Sequence, residues 1–175
     1  MTAQLRNGAV ISADEKYRYR LWRTHAHGAP DERRILFVML NPSTADGLDD
    51  DPTIRKCRGF AKRFGCAGFD VVNLFAFRAT DAKRLRDAQD PVGPLNDGEL
   101  DKALRRETYW HRIAAWGGAT KAKRIMEERR DWFVRTYALE IERGELMCLG
   151  ETKDGNPRHP LMLSYDTPLV SWRPR

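Results

Sequence analysis

Residues 34–46 read R-I-L-F-V-M-L-N-P-S-T-A-D, and residues 69–80 read F-D-V-V-N-L-F-A-F-R-A-T. Each opens on an apolar run, and each run releases an asparagine, Asn41 or Asn73, at its C-terminal end. A continuous apolar run such as Ile35–Leu40 is the pattern of a strand covered on both faces. Between the two runs, Asp49 or Asp51 can cap a helix that begins near Pro52, where proline suits the first turn. Ile54, Cys57, Phe60, Ala61 and Phe64 then recur at helical spacing, and Gly65 and Gly68 close the helix. The stretch is a strand–helix–strand unit with an expected right-handed crossover. Ligands of open α/β sheets bind outside the carboxyl ends of the strands, so both asparagines are expected to face one crevice. A third polar cluster, Arg158-His159-Pro160, follows a later strand and supplies another wall.

Working outward, residues 9–24 read as two strands around the polar turn Ser12–Glu15. Asp81–Arg86 and Asn96–Thr108 read as helices, with a loop rich in proline and glycine between them. Ile113–Trp116 is an expected strand, a long helix is expected from Ala119 to Glu142, and Leu146–Leu149 is the fourth core strand. Alternating strands and helices predict a single α/β domain over residues 1–175, a three-layer sandwich about a central, mainly parallel four-stranded sheet. Residues 1–33 form an N-terminal β-hairpin extension in this reading, and residues 34–165 form the α/β core.

The chain has 175 residues, 31 Lys+Arg against 25 Asp+Glu, and a formal net charge of +6. That excess fits a polyanionic partner, because Lys and Arg neutralising phosphates supply most non-specific nucleic-acid affinity. The competing reading is a basic but merely solvated surface, including the Arg- and Lys-rich helix 53–64. No apolar run approaches a membrane span and no signal-peptide core is visible, so a cytoplasmic location is expected. A monomer without a membrane partner is the expected state. Cys57, Cys66 and Cys148 form no C-x-x-C pair, which disfavours a zinc or iron–sulfur site; they are expected to be reduced.

The polar segments Asn41-Pro42-Ser43, Val72-Asn73-Leu74 with Arg78-Ala79-Thr80, Trp116-Gly117 and Arg158-His159-Pro160 occur in this order. The set resembles the uracil-DNA glycosylase superfamily. Its first segment is similar to the G-I-N-P-G loop of mismatch-specific glycosylases, and its last to the terminal H-P-S motif. The whole sequence resembles most a bacterial and phage family of unknown function. That family shares L-N-P-S-T-A-D (Leu40–Asp46), D-D-P-T (Asp50–Thr53), V-V-N-L-F-A-F-R-A-T (Val71–Thr80), D-P-V-G-P (Asp90–Pro94) and T-K-D-G-x-P-R-H-P (Thr152–Pro160). Leu161 stands where the superfamily has the serine of H-P-S, and Leu40 stands where it usually has glycine. The resemblance therefore implies a DNA glycosylase acting on a base other than plain uracil. Glucosylated hydroxymethylcytosine in phage DNA is one such target, with an antiviral role.

Breaking an N-glycosidic bond creates an oxocarbenium-like sugar and a departing base anion, so the site needs a held water and hydrogen-bond donors. The resemblance gives Asn41, Asp46 and His159 the catalytic roles: Asn41 orients the water, Asp46 adds a carboxylate, and His159 donates to the leaving base. Asn73 would read the base edge, with Phe75 or Phe77 as a stacking partner, against the commoner fate of such rings in core packing. Ser43, Arg78, Lys121, Lys153 and Arg158 are the expected contacts to DNA, double- or single-stranded. No metal or cofactor is expected. The competing readings are turn-capping asparagines in a non-catalytic nucleic-acid-binding module, or a metal-dependent nuclease built on the Asp46–Asp51 cluster.

Overall fold

The computed structural model describes residues 7–25, 33–43, 49–106, 108–118 and 122–174. Its elements in chain order are β1 (Asn7–Ile11), β2 (Arg18–Thr24), β3 (Arg34–Met39), α1 (Pro52–Arg63), β4 (Gly68–Asn73), α2 (Arg84–Asp87), α3 (Asn96–Leu104) and β5 (Tyr109–Ala114). Then follow α4 (Lys123–Thr136), α5 (Ala138–Glu142), β6 (Leu146–Cys148), a 3-10 turn (Pro160–Met162) and β7 (Val170–Ser171). The strands form one mixed sheet in the order β1-β2-β4-β3-β5-β6-β7. The pairings β4–β3, β3–β5 and β5–β6 are parallel, whereas β1–β2, β2–β4 and β6–β7 are antiparallel.

Alternation along β3 divides the core. Leu36 and Val38 face one apolar cluster with Leu100 of α3 and Phe133 of α4. Ile35, Phe37 and Met39 face the other, with Ile54, Cys57 and Phe60 of α1. Helices therefore cover both faces, and β3, buried throughout except at Arg34, has no room for a polar side chain. Helix α1 starts where the sequence indicates. The Asp51 carboxylate caps it by accepting from the Ile54 amide at 2.8 Å, with Pro52 in the first turn. Lys62 and Arg63 fall in its last turn, where positive charge complements the helix dipole.

The sheet differs from the sequence expectation in size and in kind. It has seven strands and is mixed, because the β1–β2 hairpin is not an appendage: β2 pairs with β4 from Leu21↔Val71 to Thr24↔Gly68. At the other edge the two-residue β7 pairs with β6, too short to give any periodic signal. Strand β5 begins at Tyr109, earlier than Ile113, and ends at Ala114. Its first residues include an exposed Trp110 and half-buried His111 and Arg112, which hide the strand from an apolar-run reading. The expected helix 119–142 is two helices, broken at Tyr137, whose ψ of 30° is not helical. Among the described residues there are five α-helices, and none is long and apolar enough to cross a membrane. All three cysteines are free and buried.

An ion-pair cluster fixes the start of α1. Arg23 of β2 is fully buried and donates through Nε to Asp50 at 2.6 Å, while Arg58 of α1 reaches the other Asp50 oxygen at 2.6 Å. Burial alone would raise the Asp50 carboxyl, but hydrogen bonds from Arg58 and Arg23 outweigh it and hold the group below its ordinary 3.8. A depressed folded value means this stabilisation is fully present above pH 3.8 and is lost as pH falls through the folded value. Asp50→Asn leaves the buried Arg23 and half-buried Arg58 guanidinium groups short of an acceptor, so a loss of about 1–3 kcal/mol is expected in urea unfolding at neutral pH. The gap to wild type should close in strong acid; a gap constant with pH would refute the ion-pair account.

Candidate active site

The C-terminal ends of the strands open into a cleft of about 380 Å³, within the range of small-molecule sites. Three residues far apart in the chain, Asn41, Asn73 and His159, line it. Register brings the asparagines together. Met39 pairs with Asn73 in the parallel ladder, and the Leu74 and Phe75 amides extend that ladder to the Met39 and Leu40 carbonyls at 2.9 Å each. Asn41 thus leaves β3 beside the end of β4.

The Asn41 side chain is oriented by its backbone neighbours. Its Nδ2 donates to the Ala79 carbonyl at 2.8 Å and to the Pro42 carbonyl at 3.0 Å. Two carbonyl partners fix the amide group, because only the NH2 end can donate to them. The side-chain oxygen has no donor among the described residues and remains an acceptor.

Asn73 is held from behind and open in front. Its main-chain carbonyl accepts from Asn96 Nδ2 at 3.0 Å, and the same group donates to the Leu74 carbonyl at 3.0 Å. Buried Arg129 also donates to the Leu74 carbonyl, at 2.8 Å, and so ties α4 to the end of β4. The Asn73 side chain is only 1% exposed, yet its Nδ2 has no hydrogen-bond partner among the described residues. The indole Nε1 of Trp116, also on the cleft wall, is a second buried donor in that condition. Native structures leave few such groups unmade, and each calls for an explanation such as a ligand.

His159 follows the turn Thr152–Gly155 and caps the short 3-10 segment: its Nδ1 accepts from the Leu161 amide at 3.2 Å. A ring nitrogen that accepts carries no proton, so in the neutral imidazole the proton sits on Nε2. Burial pushes the imidazole below its ordinary 6.5, opposed by the Asp51 carboxylate. Gly117, at φ +72°, backs the histidine closely. A Cβ there would lie 3.0 Å from the His159 Cβ, so a side chain is excluded both by the backbone conformation and by this contact.

The remaining sequence-derived candidates separate. Ser43 lines the cleft, and its hydroxyl donates to Asp51 in a short hydrogen bond. Phe75 does not line it: the ring is 1% exposed inside the core beside Leu74 and Leu100. Phe77 packs edge-on against Tyr17, ring centroids 6.1 Å apart, and is also outside the cleft. Arg78 donates to the Glu15 carbonyl at 3.1 Å and anchors the β1–β2 turn. Lys153 and Arg158 are exposed and do not line the cleft. Asp46 and Lys121 lie outside the described residues. Conversely, Arg18 and Trp116 line the cleft although no site role was expected of them, and so does Asp51, which was expected as a helix cap or as part of the competing nuclease reading. For Asp51 the signal was visible in D-D-P-T but is the same as that of any helix cap.

The family model described as "Protein of unknown function (DUF1643)" matches residues 18–161. The chain belongs to the DUF1643 family. No curated protein and no solved structure matches it. The DUF1643 match begins at Arg18 and ends two residues past His159, so it contains every described residue that lines the cleft. The first strand and β7 fall outside it. Among the described residues no group of three His, Cys, Asp or Glu side chains could hold a metal ion. Within the acidic cluster of this DUF1643 chain, Asp50 is engaged by Arg23 and Arg58, and Asp51 by the α1 amide and Ser43.

Proposed function

We propose that this protein is a monofunctional DNA glycosylase, which hydrolyses the N-glycosidic bond of a base flipped into the Asn41–Asn73–His159 cleft and leaves an abasic site. The observation that carries the reading is the Asn73 amide, a buried donor without a partner among the described residues, in a cleft that also presents the Asn41 oxygen and His159. An unmade buried donor costs about 1–3 kcal/mol, and the edge of an extruded base supplies the missing acceptor. The parallel pairings about β3, with the site at their C-terminal ends, support a uracil-DNA glycosylase-like layout. The +6 charge is consistent with a polyanionic partner.

The division of labour follows from the residue types. The Asn41 oxygen accepts from a water and aims it at the anomeric carbon. The His159 Nε2–H donates to the base as negative charge builds on it, which needs no charged imidazole. Asn73 selects the base. The departures at Leu40 and Leu161 stand against plain uracil, and the family resemblance suggests a modified base, glucosylated hydroxymethylcytosine in phage DNA among them. Abasic sites left in such DNA block its copying, an antiviral outcome.

Duplexes and single strands carrying plain or modified bases, incubated without added metal and then treated with alkali, test the reading. Alkali-dependent strand breaks with release of free base are expected. Direct cleavage abolished by a chelator would identify a nuclease, and intact bound DNA a binding module. Asn73→Ala is expected to lower the preference between the best and the next base by about tenfold or more, since a base-edge contact contributes about 1–3 kcal/mol of discrimination. An unchanged ratio of kcat/KM values across bases would remove Asn73 from recognition.

A further inference from the structure

Asp51 has a structural task as the cap of α1, yet its carboxylate lines the cleft. Among the described residues on the cleft wall it is the only acid, and the other titratable groups there are Arg18 and His159. Its Oδ1 is occupied by the Ile54 amide at 2.8 Å, while Oδ2 takes the Ser43 hydroxyl. Ser43 lies two residues beyond Asn41, so this bond fastens the Asn41 loop to the carboxylate. A carboxamide can aim a water but is too weak a base to take its proton, so hydrolysis needs a carboxylate beside Asn41. Asp46, expected in that role, lies outside the described residues, and among the described residues of the cleft the carboxylate is Asp51. Electrostatic contact with His159 is also present, since the Asp51 charge partly offsets the effect of burial on that imidazole.

We propose that Asp51 is the general base of the glycosidic hydrolysis, with Ser43 as the positioning residue that holds its carboxylate beside the Asn41-bound water; this rests on the glycosylase reading above. The water oxygen forms a bond to the anomeric carbon as the carbon–nitrogen bond breaks and its electron pair leaves with the base. The water proton passes to the Asp51 carboxylate and on to solvent. The departing base, held by the His159 Nε2–H, takes a proton from solvent, so the water is divided between sugar and base. No other reactant is needed.

Asp51→Asn separates the two tasks of this residue, because asparagine is among the best helix caps but cannot accept the proton. Its thermal stability and DNA binding are expected to stay near wild type, while single-turnover release of base falls about 10²-fold, the scale of general-base catalysis. Near-normal release by Asp51→Asn would overturn the assignment and leave the glycosylase intact. Absence of released base from wild-type protein on every plain and modified DNA would overturn both. A measurement without substrate stands beside these: the His159 imidazole, followed by NMR, is expected to titrate at lower pH in Asp51→Asn than in wild type. An unmoved His159 titration would place the carboxylate too far from the reacting centre and would also overturn the proposal.

Discussion

Asn41→Ala is expected to slow single-turnover base release by about 10²- to 10³-fold, with DNA binding little changed, because the lost contact aims a water and does not grip the substrate. The Asn41 NH2 end is committed to the Ala79 and Pro42 carbonyls, and this commitment turns the oxygen away from both. Asn41→Asp gives a sharper test than alanine. Aspartate offers a better base, but its second oxygen would face the Ala79 carbonyl, acceptor against acceptor. The carboxylate is expected to rotate or displace the Pro42–Ala79 contact, so the variant should also lose activity despite its basicity. If Asn41→Asp were faster than wild type, proton removal rather than water orientation would be the function of position 41. If Asn41→Ala kept wild-type turnover, the residue would be only a turn cap.

The strand–helix–strand unit was legible because its punctuation is strong: six apolar residues, an aspartate–proline start and a glycine stop leave little choice of register. The meeting of Asn41 with Asn73 follows from the same unit, since adjacent parallel strands end side by side and Met39 pairs with Asn73. His159 was legible through its place after a later strand and through its resemblance-bearing segment; nothing in its local pattern says which side of the sheet it faces. The failures have equally local causes. Phe75 was expected as a stacking partner for the base read by Asn73. The strand ends at Asn73, however, and Leu74 and Phe75 both turn into the α3 side of the core. Phe77 and Arg78 instead seat the N-terminal hairpin, through Tyr17 and the Glu15 carbonyl. The true extent of the sheet was hidden because its outer strands carry mixed residues: β2, next to the edge strand β1, holds Arg18, Arg20 and Arg23, and Arg23 is buried against Asp50 far along the chain. Asp51 illustrates the limit best, since helix capping and acid–base chemistry ask for the same residue in the same place.

His159→Ala is the second variant for which a loss of about 10²- to 10³-fold in base release is expected, the range seen when one donor to a developing anion is removed. The imidazole is suited to that task in its neutral form. Nδ1 accepts the Leu161 amide at 3.2 Å, which assigns the proton to Nε2 and fixes the ring at the start of the 3-10 turn. Protonating Nδ1 breaks that bond and places a second positive group in a cleft already lined by Arg18. Burial accordingly holds the imidazole below its ordinary 6.5, the Asp51 charge recovering only part of the shift. The direction fixes the pH behaviour. A folded value depressed below 6.5 keeps the neutral donor populated as pH falls past 6.5, and the neutral form is lost only as pH drops through the lower folded value. Single-turnover rates should therefore hold steady across that ordinary value and decline further into acid. In His159→Gln a side-chain amide can still donate but does not titrate there, so its smaller rate should lack the histidine-dependent decline. A wild-type rate that instead rises as the imidazole becomes protonated would show that the charged ring, not the neutral donor, assists departure of the base, and the role given to the Leu161 contact would have to be abandoned.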